Sequence, residues 1–474
     1  MSSEPLPVSA PSLQDVDADG IAAFVDAIES APDIELHSLM ILRHGHIVAS
    51  GWWEPYGPDR PHLLYSLSKS FTSTAAGLAA GEGLLDLDAP VLSYFPELEP
   101  DVTDPRSRAM LVRHVASMSS GHLTDTWPAA PRADREHPVR GFLRIPPDRD
   151  PGTVFTYNQS CTYTLATIVQ RVTGQHLIEY LRPRLFDVLG IGSAAWEEHP
   201  SGQVLGFSGL YVTTDAIARL GELYLRGGQW RGQQVLSKEW VTEATRRQIA
   251  TRFDAGPDWR EGYGFQFWMA RHGFRGDGAY GQFCLVLPEH DAVVAITSAT
   301  ENMQGVLEAV WEHVLPAFGG PGTGAASAAK DTALAAKLAG LRLPVRPAGP
   351  WPDAAGAPVV LTPAGGTCEA QPTLRQVVVS GRTVTLREDA LPVEVRIEDG
   401  GWHVTESPAP VAVSGGWADS GTLVIDVVFL ETPHCLTLTC TPGDRTFRAA
   451  WKTQPLNRYD LGRLRSPSAS DDTP

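Results

Sequence analysis

The chain has 474 residues, 43% hydrophobic and 20% charged, which excludes a disordered chain and is too long for one compact domain. Lys and Arg total 38 against 55 Asp and Glu, a formal net charge of -17, so nucleic acid and anionic membrane surfaces are not expected partners. The opening residues carry no secretory pattern and no apolar run is long enough to span a bilayer, which makes the expected location cytoplasmic.

In chain order, residues 13–31 place apolar groups at helical spacing and predict an amphipathic opening helix. Two apolar runs around Arg43-His44-Gly45-His46 predict a β-hairpin turning at glycine. A tightly packed helix of small residues is expected from near Ser66 to a carboxyl cap at Gly81 or Gly83. The Pro-, Arg- and Asp-rich stretch from Pro128 to Pro151 reads as a surface excursion. Helical period returns from Tyr163 with a break at Gly174, and again over TTDAIARLGELYLRGG. GQFCLVLPEHDAVVAITSAT reads as two paired strands with a turn at Pro288 to Asp291, and GVLEAVWEHVLPAF as a closing helix.

Composition then shifts to Gly, Ala, Ser and Pro, with a short helix candidate at TALAAKLAGL. Past Pro352, short β-branched runs recur about every ten residues between turn signals, the pattern of an all-β barrel or sandwich. The expected division is residues 1–319 as an α/β unit, 320–352 as linker, 353–465 as the all-β domain and 466–474 as a disordered tail.

The chain holds five lysines against 33 arginines, so each surviving lysine has a raised chance of being needed as lysine. One of them closes Ser66-Leu67-Ser68-Lys69. At a helix amino terminus this spacing puts the hydroxyl and the amine on one face, where the amine can activate the oxygen and free helical N–H groups can stabilise an oxyanion. A lysine serves as base only if burial or neighbours lower its pKa. His114 and His122 read as packing or capping groups. Cys161, Cys284, Cys368, Cys435 and Cys440 lack metal or redox spacing and read as ordinary buried thiols. No G-x-S-x-G surrounds Ser66, and no phosphate-loop, dinucleotide or zinc-protease motif is present. The chemistry requires no cofactor and no metal.

The stretch around Ser66 and Lys69, followed by Gly83-Leu84-Leu85-Asp86, resembles the serine β-lactamase and penicillin-binding-protein superfamily, most closely the class C β-lactamase-related serine hydrolases. Further landmarks follow in order at 112–122, 151–174, 209–225 and 276–298, and the resemblance covers roughly residues 20–318. It implies a β-lactamase/transpeptidase-like α/β domain, an antiparallel sheet flanked by helices plus a helical subdomain, ahead of the all-β domain. By the resemblance Tyr157 is the tyrosine of a Y-x-N motif that shuttles the proton, and a phenol beside a cationic lysine is expected to ionise more readily than usual. Gln159 stands where asparagine is usual, and Asn158 beside it is expected to face away. Gly276-Asp277-Gly278 occupies the slot of the Lys-Thr-Gly or His-x-Gly motif and lacks its cation. Asp277 then has two readings, site residue or solvated turn carboxylate. Ala279 is the candidate for the second oxyanion N–H, Gly278 the residue that lets substrate approach, and Arg275 a replacement cation that strand alternation turns away from Gly276.

The function implied is a serine hydrolase forming an acyl-enzyme on Ser66, esterase-like, acting on a small-molecule or peptide substrate. D-amino-acid peptidase, peptide cyclase or acyltransferase, weak β-lactamase and non-catalytic ligand-binding protein are the alternatives, and a homo-oligomer is left open.

Overall fold

Asp17 accepts the N–H of Asp19 at 3.2 Å and so caps α1 (Ala18–Ser30), which buries Ile21, Phe24, Val25 and Ile28. Strands β1 (Leu36–Arg43) and β2 (His46–Trp52) turn at His44 and Gly45, both with positive φ, the turn that matches strand twist. After β3 (His62–Leu63) the chain makes a 3₁₀ turn over Tyr65–Leu67 and enters α2 (Ser68–Gly81), so the helix expected from Ser66 starts two residues later. Next come α3 (Gln159–Thr173), β4 (Leu210–Val212) and α4 (Thr214–Leu225), then β5 (Trp268–Met269), β6 (Phe274–Gly278), β7 (Gln282–Leu287), β8 (Ala292–Ser298) and α5 (Ala325–Ala339). This computed structural model describes residues 4–252, 256–320, 324–346, 351, 357–389, 391–457 and 460–467. The expected tail at 466–474 lies outside them from residue 468 on.

The main sheet runs β5-β6-β7-β8-β1-β2 with every pairing antiparallel. Helix α4 packs against β7, β8 and β1; a Cβ at Gly221 would stand 2.5 Å from Val293 Cγ1. The helix expected at 332–341 begins earlier, because the alanine-rich α5 docks Leu334 and Leu338 against the molecule and pairs Lys330 with Asp19 and Lys337 with Asp26. The stretch 128–151 is not merely a surface excursion. Its helices Ala130–Ala133 and Pro138–Leu143 bury Ala130, Val139, Phe142 and Leu143, and the charged residues cover only the outer side. Helix α3 starts four residues before Tyr163, because Asn158 accepts Ser160 N–H at 3.1 Å and caps it there.

Helix α2 is buried from Ser68 to Ala79 although much of it is serine and threonine. Burying hydroxyls costs free energy unless they are bonded. Here Ser70 donates to Gln266 O (3.1 Å), Ser73 to Phe265 O (2.7 Å) and Thr72 to Gly206 O (2.8 Å), so the helix is pinned to the loops that shape the site.

The carboxyl-terminal strands are β9 (Val359–Pro363), β10 (Gln376–Ser380), β11 (Thr383–Arg387), β12 (Val393–Arg396), β13 (His403–Thr405), β14 (Val411–Trp417), β15 (Leu423–Phe429), β16 (His434–Thr441) and β17 (Thr446–Trp451). They form one sheet, β12-β11-β10-β9-β17-β16-β15-β14-β13, whose two edges meet, so the barrel is nearly closed. Alternation fills its interior with Leu423, Ile425, Val427, Phe429, Leu436 and Leu438. Ala412, Val428, Leu430 and Cys435 instead join the core of the α/β unit, so the barrel is apolar on its docking side as well as inside.

Candidate active site

The turn before α2 presents Ser66 half-buried, and one helical turn on, Lys69 is 1% exposed. Lys69 Nζ lies 2.9 Å from Ser66 Oγ and donates to the Phe207 carbonyl at 2.7 Å. Tyr157, just before α3, brings its phenol into hydrogen-bonding contact with Ser66, and its ring sits 4.8 Å from Lys69 Nζ. Trp268 of β5 stacks on that ring at 5.5 Å and 22°. The structure therefore brings Ser66, Lys69 and Tyr157 together.

Burial pulls the Lys69 amine from 10.5 down to about 7, against the carboxylates of Asp125 and Asp277, which pull it up. The phenol does not ionise readily, contrary to expectation. Burial pushes Tyr157 well above its ordinary 10.0, with Asp277 acting in the same direction and the Ser66 hydrogen bond only partly opposing. Near neutrality the pair is thus an amine that can lose its proton and a phenol that keeps its own.

Strand β6 runs flush against the turn that carries Ser66. A Cβ on Gly278 would stand 2.0 Å from Leu64 O, and one on Gly276 2.4 Å from Leu67 Cδ1. These glycines admit the nucleophile's own turn, where Gly278 was expected to let substrate approach. Ala279 follows, half-buried among Leu63, Tyr65, Tyr211 and Tyr280.

Asp277 is no solvated turn carboxylate: its side chain is 6% exposed and accepts from Arg275 Nε at 3.0 Å. Arg275 is fully buried, donates to Asp258 O (3.0 Å) and Met269 O (2.9 Å), and lies 4.5 Å over Trp259. Those contacts engage Nε and Nη1, while Nη2 is buried without a hydrogen-bond partner among the described residues, so the guanidinium is sealed from solvent.

Gln159 begins α3, and its backbone N–H donates to Asp125 at 3.0 Å. Lys69 takes its second acceptor from Phe207 O, not from Gln159, whose Oε1 is buried without a hydrogen-bond partner among the described residues. Asn158 faces the loop before α3, accepting from Thr126 N and Oγ1 at 3.2 and 2.9 Å. His114 accepts Leu111 N–H at 3.1 Å and His122 bonds Ile145 O at 2.9 Å, so both cap and pack. All five cysteines are buried and free.

Sequence reasoning missed Asp125, the Phe207 carbonyl and Trp268. Asp125 sits in a loop with no periodicity to mark it, and a backbone acceptor has no side-chain signature.

A profile of the beta-lactamase family matches residues 24–317. The chain belongs to the beta-lactamase family. It is a serine hydrolase, and relatives bear that out. A 6-aminohexanoate-dimer hydrolase of Paenarthrobacter ureafaciens is 27% identical over 328 residues, 62% of this chain and 83% of that protein. A lovastatin esterase of Penicillium rubens is 30% identical over 188 residues, 35% of this chain and 47% of that protein. Among solved structures, SurE with D-Leu aligns over 86% of this chain and 93% of its own, at 17% identity and a TM-score of 0.50, a likeness of fold spanning both domains.

Proposed function

We propose that this hydrolase cleaves neutral esters through an acyl-enzyme on Ser66. The observation that carries the reading is the sealed Lys69 amine 2.9 Å from Ser66 Oγ, pulled to about 7 by burial. In the neutral form its lone pair takes the Ser66 proton as Oγ bonds to the carbonyl carbon. The Ser66 and Ala279 N–H groups hold the oxyanion. The Tyr157 phenol, still protonated, delivers its proton to the departing alkoxide and recovers one from the Lys69 ammonium. Water then attacks the ester on Ser66 and turnover completes.

Where the resemblance implies a cation, Asp277 stands buried and paired with the buried Arg275, so this segment offers a substrate carboxylate no exposed positive partner. That favours neutral esters over β-lactams, and the lovastatin esterase among the relatives supports the same choice. The test is labelling by a fluorophosphonate, with peptide mapping of the adduct. Wild type is expected to label at Ser66 and to hydrolyse p-nitrophenyl acetate faster than nitrocefin. Ser66→Ala is expected to do neither while keeping its fold. A wild type that neither labels nor cleaves the ester overturns the proposal.

Transfer of the acyl group to an amine is a second reading, favoured by the barrel docked beside Ser66 and by the two-domain likeness to SurE, whose solved structure holds D-Leu. Adding D-Leu to an ester assay separates the two: a transferase yields the N-acyl amino acid, a hydrolase the free acid.

A further inference from the structure

Resting on the acyl-enzyme reading above, we propose that the carboxyl-terminal barrel is a working part of the catalytic centre. His434 and the Gln454 carbonyl are positioning groups that hold Tyr65 and Tyr280, and through them the backbone N–H groups of Ser66 and Ala279.

Tyr65 immediately precedes Ser66 and Tyr280 immediately follows Ala279. Each adopts the left-handed backbone conformation that non-glycine residues rarely take, with φ of 47° and 64°. Such backbone persists only where its surroundings hold it. The Tyr280 carbonyl accepts from Ser298 Oγ (2.6 Å) and Thr300 N–H (3.2 Å) of its own domain, and the side chain of each tyrosine is held by the other domain. His434 Nδ1 lies 2.9 Å from the Thr453 carbonyl, which can only accept, so the neutral ring carries its proton there. Its Nε2 is then an acceptor, and the Tyr65 hydroxyl donates to it at 2.6 Å. Leu456 N–H approaches the same hydroxyl at 3.4 Å. The Tyr280 hydroxyl donates to the Gln454 carbonyl.

The three rings also meet edge to face: Tyr65 and Tyr280 at 5.7 Å, Tyr65 and His434 at 5.8 Å, Tyr280 and His434 at 5.6 Å. Leu63 N–H donates to Glu431 O at 2.8 Å, so the β15–β16 turn is stitched to the strand leading into the nucleophile. The two oxyanion donors belong to segments more than 200 positions apart in the chain, and this cluster is where both are referred to one rigid support. An oxyanion hole works only when its donors sit within hydrogen-bond reach of the developing charge, and misplacement of about 1 Å costs on the order of 10²-fold in rate.

The experiment uses the full chain and compares wild type with His434→Ala, His434→Gln, Tyr280→Phe and Glu406→Gln. The last removes only the exposed Arg60–Glu406 pair across the same domain contact. The readouts are kcat and KM on p-nitrophenyl acetate, the rate of Ser66 labelling by a fluorophosphonate, and near-UV circular dichroism for folding. His434→Ala and Tyr280→Phe are expected to lower kcat and the labelling rate roughly 10- to 100-fold with KM within about twofold. His434→Gln is expected to recover most of the loss, because the amide can donate to Thr453 O and accept from Tyr65. Glu406→Gln is expected to leave kcat unchanged.

A folded His434→Ala with wild-type kcat, or a glutamine variant as impaired as the alanine one, overturns the inference. If His434→Ala does not fold, Tyr280→Phe, which removes one hydroxyl, decides alone: wild-type kcat overturns the inference and a lowered kcat at constant KM supports it. Failure of wild type itself to label at Ser66 overturns the underlying reading, a result distinguishable from a labelled wild type with unaffected variants.

Discussion

Lys69 gives its shortest hydrogen bond, 2.7 Å, to the carbonyl of Phe207. A carbonyl accepts from the ammonium and, more weakly, from the neutral amine, so this bond holds Nζ in either state and leaves the neutral lone pair free for Ser66. With the amine lowered to about 7, activity is expected to rise with pH through a midpoint near 7, because only the deprotonated amine is a base. Measuring kcat/KM on a neutral ester across pH 5 to 9 checks this, and a flat profile contradicts it. Lys69→Arg is expected to lose about 10³-fold or more, since guanidinium stays protonated throughout.

Asp125 gives a second handle on the same limb. Its carboxylate raises the Lys69 pKa while accepting Gln159 N–H at 3.0 Å. Asp125→Asn retains an acceptor for that N–H and removes the charge. The ascending limb is therefore expected to move to lower pH with the plateau largely kept, as titrated kcat/KM profiles will show. A limb that moves to higher pH contradicts the assignment.

Much of this site was legible in the sequence, for a physical reason. Ser66 and Lys69 lie one helical turn apart, and spacing alone puts them on one face. Tyr157 lies far off in the chain and came only through the resemblance of its flanking residues. Asp277 stayed open between two readings, because a two-residue step along a strand says which residues share a face, not whether that face is buried. Arg275 and Asp277 share a face as alternation requires, and only the packing of Trp259 and Trp268 over Arg275 reveals that the face is sealed. The phenol of Tyr157 was expected to feel a charged lysine, but the burial that lowers the amine raises the phenol. The barrel was readable from its alternation. Its approach to Ser66 was not, because His434 and Tyr65 are 369 residues apart.

That buried pair carries a stability prediction. Burial disfavours both charges, lowering Arg275 and raising Asp277, while each partner opposes the other's shift. Removing one partner leaves the other charge uncompensated in an apolar setting, which costs about 3–5 kcal/mol. Arg275→Ala is expected to lose stability of that order by urea unfolding. The double variant Arg275→Met, Asp277→Leu is expected to recover most of it. A near-neutral Arg275→Ala contradicts the argument.

Acid is expected to loosen the domain contact well above the carboxylate range. At that contact His62 Nδ1 donates to Leu63 O at 3.0 Å, so its Nε2 accepts from His37 Nδ1 at 3.0 Å. His37 Nε2 then faces Glu35 at 3.5 Å, a carboxylate that Lys452 also pairs. Tyr56 stacks on His37 at 3.7 Å, and His434 stands beside them. Burial lowers all three histidines, His434 to about 3 and His62 well below its ordinary 6.5. The sign follows from proton counting. Below 6.5 the unfolded chain binds protons that the folded rings refuse, so stability is full above 6.5 and is lost as pH falls toward the folded values. His434 alone then accounts for roughly 2–3 kcal/mol of loss by about pH 4.5. His37 has Glu35 to receive its proton, so the loss falls chiefly on His62 and His434. Urea midpoints at pH 7.5 and pH 4.5 measure it, and His434→Gln is expected to shrink the difference because the amide does not titrate. Equal midpoints at the two pH values contradict the prediction.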